Sequence, residues 1–333
     1  MKKLYEYISP TKKQLTLVAV GDILAHDCIL KDSKFGDRFD FNHIFSTISP
    51  QIKKYDLAYC NQESPIGGVD LGVHGGSYRP DPKFNSPEAL GDAVVNAGFN
   101  MISISNNHSR DLGIQQIMKS IEYWRTKPLV IVAGEYRSEA ERCMIPIHIK
   151  NGIKYAFLAY NTRTRHINRN SNSKYMLNIY DDDLVKNDIV SIRDKVDVII
   201  VAMHWGEEYA QDVSEEQRNI ANYLASLGVD IILGSHSHTI QPIEWIGQTL
   251  VIYSLGNFLS FRDDVEMKRV GLMAKIRITI DGDKKHIKCN PDLTYIDMAN
   301  EKDFRIVLLN DPSLVLKNKD DIRKRYFNII ESV

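Results

Sequence analysis

Short apolar runs alternate with amphipathic stretches along most of the chain. Runs at 15–20 (LTLVAV), 56–60 (DLAYC), 99–104 (FNMISI), 129–133 (LVIVA), 153–160 (IKYAFLAY), 197–203 (DVIIVAM), 229–233 (VDIIL), 249–253 (TLVIY) and 270–280 (VGLMAKIRITI) predict strands. Nearly all are continuously apolar, as strands covered on both faces should be. Two helices carry boundary signals. Ser86-Pro87-Glu88 reads as an N-cap serine before a first-turn proline, with Gly98 closing the helix. Ser214 with Gln217 reads as a capping box, and Gly228 closes that helix. Each runs at once into a strand, which gives β–α–β units and an α/β fold. A further helix is expected over 113–126. From residue 262 the pattern changes to longer alternating strands and a charged final helix. No linker-like break divides 15–261, so that span reads as one unit, with 262–333 appended to the same domain.

Composition narrows the function classes. The chain has 333 residues, with 42 basic and 43 acidic side chains and a formal net charge of −1. No global field favours nucleic acid or an anionic membrane. The four cysteines, Cys28, Cys60, Cys143 and Cys289, form no CxxC pair. A thiolate zinc cluster is therefore not expected, and reduced thiols are. Cys28 and Cys60 read as small buried hydrophobes. The polar N-terminus has no signal-peptide h-region, and the apolar runs fall far short of the roughly 20 residues that span a bilayer. The expectation is a cytoplasmic protein with no integral membrane segment and no nucleic-acid partner.

The chemistry lies where the strands end. Asp22 follows the first run and Glu63 the second. Asn107 and His108 follow the third, His204 ends 197–203, and His236 and His238 follow 229–233. In an open α/β sheet, ligands gather beyond the carboxyl ends of the strands, so these residues are expected to share one edge. Carboxylate, amide oxygen and imidazole without thiolate suit a divalent ion such as Mn, Zn or Fe. A carboxylate between imidazoles can bridge two such ions, which can clamp the attacking and leaving groups of a hydrolysis. His108 is then the candidate to protonate the leaving group, with Asp111 setting its charge state through the other ring nitrogen. Asn106, Glu208, Tyr209 and Gln241 are candidate substrate contacts, with Glu244 and Asn257 weaker ones. The YSLGNF block reads as structural, a tight turn at Gly256 with Asn257 tying backbone groups. Arg163, Arg165 and Arg169, in the basic loop 161–174, are candidates to grip an anionic substrate.

The blocks GDILAH, NQESP, SNNHSRDLG, HWGEEY, GSHSHTIQPIE and YSLGNFLSF resemble the signature blocks of the CapA-type poly-γ-glutamate capsule biosynthesis family, in the family's order over about residues 15–261. That family resembles calcineurin-like metallophosphoesterases. The resemblance implies a metallo-dependent-phosphatase-like, four-layer α/β/β/α sandwich with a dinuclear site. It implies Asp22 and His238 on one ion, Asn107, His204 and His236 on the other, Glu63 bridging, and His108 as the catalytic histidine. Three positions depart from the pattern. Leu24 stands where phosphoesterases place a histidine, with His26 two residues further on. Glu63 replaces an aspartate, and Gln62 stands at a usually apolar position. The function so implied is a metal-dependent hydrolase acting on an anionic small molecule or polymer, with capsule-synthesis proteins as partners. Two alternatives stay open, a non-catalytic accessory of a polymer-synthesising complex and a γ-glutamyl amide hydrolase.

Overall fold

The computed structural model describes residues 12–76, 82–163, 174–261, 268–299 and 301–332. The first half of the chain carries β1 (Lys13–Ile23), β2 (Leu57–Gln62), α1 (Glu88–Ala97), β3 (Met101–Ser103), α2 (Ile114–Arg125), β4 (Ile131–Ala133), β5 (His148–Lys150) and β6 (Ile153–Asn161). The second half carries α3 (Asp182–Ile192), β7 (Val198–His204), α4 (Glu215–Ser226), β8 (Ile231–Ser235), β9 (Ile243–Ile246), β10 (Thr249–Ile252) and β11 (Asn257–Leu259). It ends with β12 (Val270–Asp281), β13 (Lys284–Ala299), β14 (Lys302–Leu308) and α5 (Lys319–Ile330). All nine apolar runs singled out in the sequence fall on strands. The short β5, β9 and β11 are additions.

Two sheets form. The first runs β14-β13-β12-β1-β2-β3-β4, with β11 also paired to β1, and the second runs β9-β10-β8-β7-β6-β5. The site-bearing strands are parallel within each sheet, β1 with β2 and β7 with β8. Parallel neighbours need crossovers, and the crossovers place helices on the outer faces. Alternate residues then enter different cores. Leu15, Leu17, Ala19 and Tyr59 of the first sheet meet Phe157, Ile200 and Leu233 of the second between the sheets. Val18 and Val20 face outward onto Ile44, Leu90, Val94 and Trp124. Ala156, Leu158 and Val201 face outward onto Val185, Ile189, Ile220 and Leu224. The result is the α/β/β/α layering, and burial on both faces is why the runs lack alternation. Beyond the second sheet's reach, α5 covers the inner face of the first: Ile322, Tyr326 and Ile330 join Ile276, Ile278 and Val307. Among the described residues, no helix is long and apolar enough to cross a membrane.

The boundary signals have two outcomes. Ser214 and Gln217 form the reciprocal capping box of α4, and Gly98 ends α1 in the left-handed conformation. The N-cap of α1, however, is Pro87 and makes no side-chain cap bond. The hydroxyl of Ser86 is instead directed to Ser64 Oγ, 3.1 Å away.

Two glycines let backbones touch behind the site. A Cβ on Gly21 would overlap the carbonyl of Gly256, and one on Gly234 the carbonyl of Tyr253. These contacts hold the ends of β1 and β8 in place, one residue before Asp22 and two before His236. Gly234→Ala is therefore expected to cost at least about 1–3 kcal/mol, the usual penalty of overpacking. Urea unfolding would read the loss, and an unchanged midpoint would mean that the two segments can part freely.

Candidate metal centre

Asp22 and Asn61 are register partners on β1 and β2. His204 and Ser235 are partners on β7 and β8. The two sheets meet at these strand ends: Asn61 Nδ2 donates to Asp22 Oδ1 at 2.8 Å and lies 3.4 Å from His204 Nδ1. Glu63 leaves β2 directly and is tied back by its amide to the Ile23 carbonyl. Its carboxylate is fully buried. Oε1 lies 3.6 Å from His238 Nε2 and 3.8 Å from His204 Nε2.

Ligand-type atoms converge in two groups that share Glu63. One is Glu63, His204 and His236; the other is Asp22, Glu63 and His238, with the atoms of each group within 4.8 Å of one another. Asn107 joins the first through Oδ1, 3.0 Å from His204 Nε2. His204 is oriented from behind by Ser235 Oγ at 3.0 Å from Nδ1. His238 Nδ1 lies 2.9 Å from Asn257 Oδ1 and 3.3 Å from Asp22 Oδ2. Such partners fix ring orientation in metal sites.

Electrostatics follow from burial. Desolvation pushes the Glu63 carboxyl well above the usual range, the neighbouring Asp22 adds to this, and His238 opposes it. Burial holds His204 well below the usual imidazole value, and nearby His236, His238 and His108 push the same way. For His238, burial acts downward, but Glu63 and Asp22 outweigh it and the imidazole is pushed up to about 10. Neither Glu63 oxygen has a hydrogen-bond partner among the described residues, and neither has Asn107 Nδ2. A buried carboxylate without partners is costly unless a proton or cation meets it. The donor set, carboxylate, amide and imidazole, fits a divalent ion.

The other sequence candidates divide. His108 Nδ1 is 2.8 Å from Asp111 Oδ2, and its ring packs edge-on against Phe84 at 4.6 Å between centroids. Asp111 Oδ2 also accepts from the Phe84 amide at 2.7 Å. Asn106 accepts from the His108 amide and donates to the Gln62 carbonyl, both at 3.0 Å. It thereby shapes the loop. Tyr209 lies beside the centre, its ring 5.8 Å from that of His238. The charge of the half-buried Glu208 acts on both Glu63 and His238. Gln241 is buried away from the ligands, bonded to the carbonyls of Ala210 and Asp212 and to Gln217. It braces the 207–212 loop. Arg163 is engaged by the Gly206 carbonyl and by Glu207 and Glu216. Arg165 and Arg169 lie outside the described residues. His26 occupies the N-cap position of the short helix Asp27–Asp32 without a side-chain cap bond, its ring 5.2 Å from that of Phe84, and belongs to neither ligand group. Glu244 pairs with Tyr253 and Arg218.

Asn61, Ser235 and Phe84 were not assigned a role from the sequence, and Asn257 was read there as a backbone tie and a weaker substrate contact, not as the partner of His238. Asn61 carried one faint signal, a polar residue at the Leu57–Tyr59 spacing that points between the sheets.

A sequence family described as bacterial capsule synthesis protein PGA_cap matches residues 16–262, almost the span of the motif blocks. The chain is 28% identical over 267 residues to the capsule biosynthesis protein CapA of Bacillus anthracis, covering 76% of this chain and 62% of that protein. It is 26% identical over 244 residues to the PGA biosynthesis protein CapA of Bacillus subtilis (strain 168), covering 72% and 62%. The chain thus spans less than two thirds of either relative's length. Among solved structures, a Staphylococcus aureus protein described as a putative 5′-nucleotidase, in complex with α-ketoglutarate, aligns with a TM-score of 0.53 at 15% identity, covering 95% of this chain and 58% of that one. A hypothetical protein from Thermus thermophilus aligns with a TM-score of 0.50 at 12% identity, covering 84% and 98%. These likenesses concern the fold, which is α/β and metallo-dependent-phosphatase-like.

Proposed function

The chain belongs to the bacterial capsule synthesis PGA_cap family, and from that premise we propose that it is a metal-dependent, phosphoesterase-like hydrolase serving capsule or poly-γ-glutamate metabolism. Its substrate is an anionic small molecule or polymer, and its partners are other capsule-synthesis proteins. Residues 15–261 form the working unit, with 262–333 appended to it. Asp22, His238 and Glu63 would hold one divalent ion, Mn, Zn or Fe, and Asn107, His204 and His236, again with Glu63, would hold a second. The main support is the buried Glu63 carboxylate, without a hydrogen bond within the described protein and common to two groups of ligand-type side chains. Ions bound there would supply Lewis acidity toward a phosphoryl or acyl oxygen and acidify water. His108 holds the proton for the leaving oxygen or nitrogen. Asp111 engages its Nδ1, which leaves Nε2 as the transferring position.

Purified protein supplied with Mn and assayed on aryl phosphate mono- and diesters and on γ-glutamyl amides tests this. Ester turnover that falls by about 10²–10⁴ in His108→Ala supports the phosphoesterase. Turnover of amides alone assigns a γ-glutamyl amide hydrolase, and Mn uptake without any turnover assigns the accessory role.

Proton linkage gives a check that needs no substrate. With His238 pushed up to about 10 by Glu63 and Asp22, the cluster without a cation holds a proton on that imidazole at neutral pH. Cation uptake is expected to expel it, so Mn affinity should weaken as pH falls. Calorimetry in buffers of different ionisation enthalpy would show the release, and heats independent of the buffer would contradict it.

A further inference from the structure

We propose that Lys268 recognises an oxyanion of the substrate beside the metal centre, with Tyr209 as its seat; this rests on the reading of the centre given above. Tyr209 has φ +67°, a left-handed backbone that is strained for a bulky side chain. His236 at +93° and His238 at +56° share this feature. The other described non-glycine residues with positive φ, Asn151, Glu301 and Asp303, are polar and lie at or beside hairpin bends. Strain on bulky residues is thus concentrated at this one rim.

Specific bonds hold the arrangement. The Tyr209 amide donates to the Ser237 carbonyl at 2.7 Å. The ring then lies against His238, and Lys268 Nζ sits over it, 4.3 Å from the centroid. The backbone of Lys268 is tied to the same point. Asn257 Nδ2 donates to the Lys268 carbonyl at 3.0 Å, while Asn257 Oδ1 lies 2.9 Å from His238 Nδ1. One amide side chain therefore positions both the imidazole and the lysine.

Lys268 Nζ thus stands over the ring that lies against His238, and an oxyanion reaching both the loaded centre and the ammonium would be attracted from two sides. A lysine, a compact charge with rotatable donors, accepts either a phosphate or a carboxylate.

Calorimetry on Mn-loaded protein, with inorganic phosphate and with glutarate as probes, tests the assignment. Lys268→Ala is expected to take up Mn like the wild type but to bind the recognised anion about tenfold or more weakly, as loss of a charge-assisted hydrogen bond implies. Lys268→Arg, which keeps the charge, should recover most of the affinity. A loss confined to phosphate marks a phosphoryl group as the partner of Lys268, and one confined to glutarate marks a carboxylate. Normal Mn uptake with both anion affinities unchanged in Lys268→Ala overturns the role of Lys268 and leaves the centre intact. Absence of Mn uptake by the wild type overturns the reading of the centre, and the role of Lys268 with it.

Discussion

Glu63→Gln is expected to weaken divalent-cation binding by more than about 100-fold, and to do so at both positions together. Loss of a supporting outer partner alone costs about 10–100-fold in metal affinity, and loss of a shared ligand should exceed that. Glu63 is the residue common to the two ligand groups. By contrast, His238→Ala should affect one position and His204→Ala or His236→Ala the other. Metal analysis of dialysed protein after Mn loading would count the ions. Full occupancy in Glu63→Gln would refute the bridging role. The same substitution should leave folding intact, which separates this loss from a simple collapse. Neither Glu63 oxygen is hydrogen-bonded to the described protein, so glutamine breaks no such bond there. The metal-free variant is expected to stay folded by circular dichroism, with loss of the Glu63–His238 attraction as its main cost.

The second large effect lies away from the centre. Asp188→Ala is expected to cost about 3–5 kcal/mol, the range for breaking a buried ion pair from one side. Arg142 and Asp188 are both buried and paired through two bonds, Nη1 to Oδ1 at 2.8 Å and Nη2 to Oδ2 at 2.5 Å. The Tyr160 hydroxyl donates to Asp188 Oδ2 at 2.6 Å. This cluster ties α3 to β6 and to the short helix Glu139–Cys143. Burial works against the Arg142 charge, but the bonds and attraction of Asp188 outweigh it and push its pKa up. Removing Asp188 leaves the guanidinium buried and unneutralised. Urea unfolding measures the cost, and a loss below about 1 kcal/mol would place the pair among ordinary surface ion pairs. Replacing both partners, as in Arg142→Met with Asp188→Leu, should recover most of the stability, because no buried charge is then left alone.

Legibility in the sequence followed the range of the interaction. The strand runs could be read because each residue's burial is set by its own strand, and burial on both faces leaves an unbroken apolar string. The capping box of Ser214 and Gln217 could be read because both its bonds close within one helical turn. The cap assigned to Ser86 could not, because its hydroxyl is directed to Ser64, 22 residues away. Gln241 and Arg163 show the same limit. Their chemistry suits substrate contact, yet each is bonded into the 206–217 region by partners on other elements. Asn61 acquires its place only when His204, 143 residues on, arrives from the other sheet.

The sequence by itself determined the α/β class, the strands and the kinds of donor placed at their carboxyl ends. Those properties rest on local patterning and on residue chemistry. Only the tertiary structure decided that Asn257 holds His238, that Phe84 walls His108 and that Lys268 overhangs Tyr209. Each depends on segments distant in sequence meeting in space, a distance that no periodicity along one chain encodes.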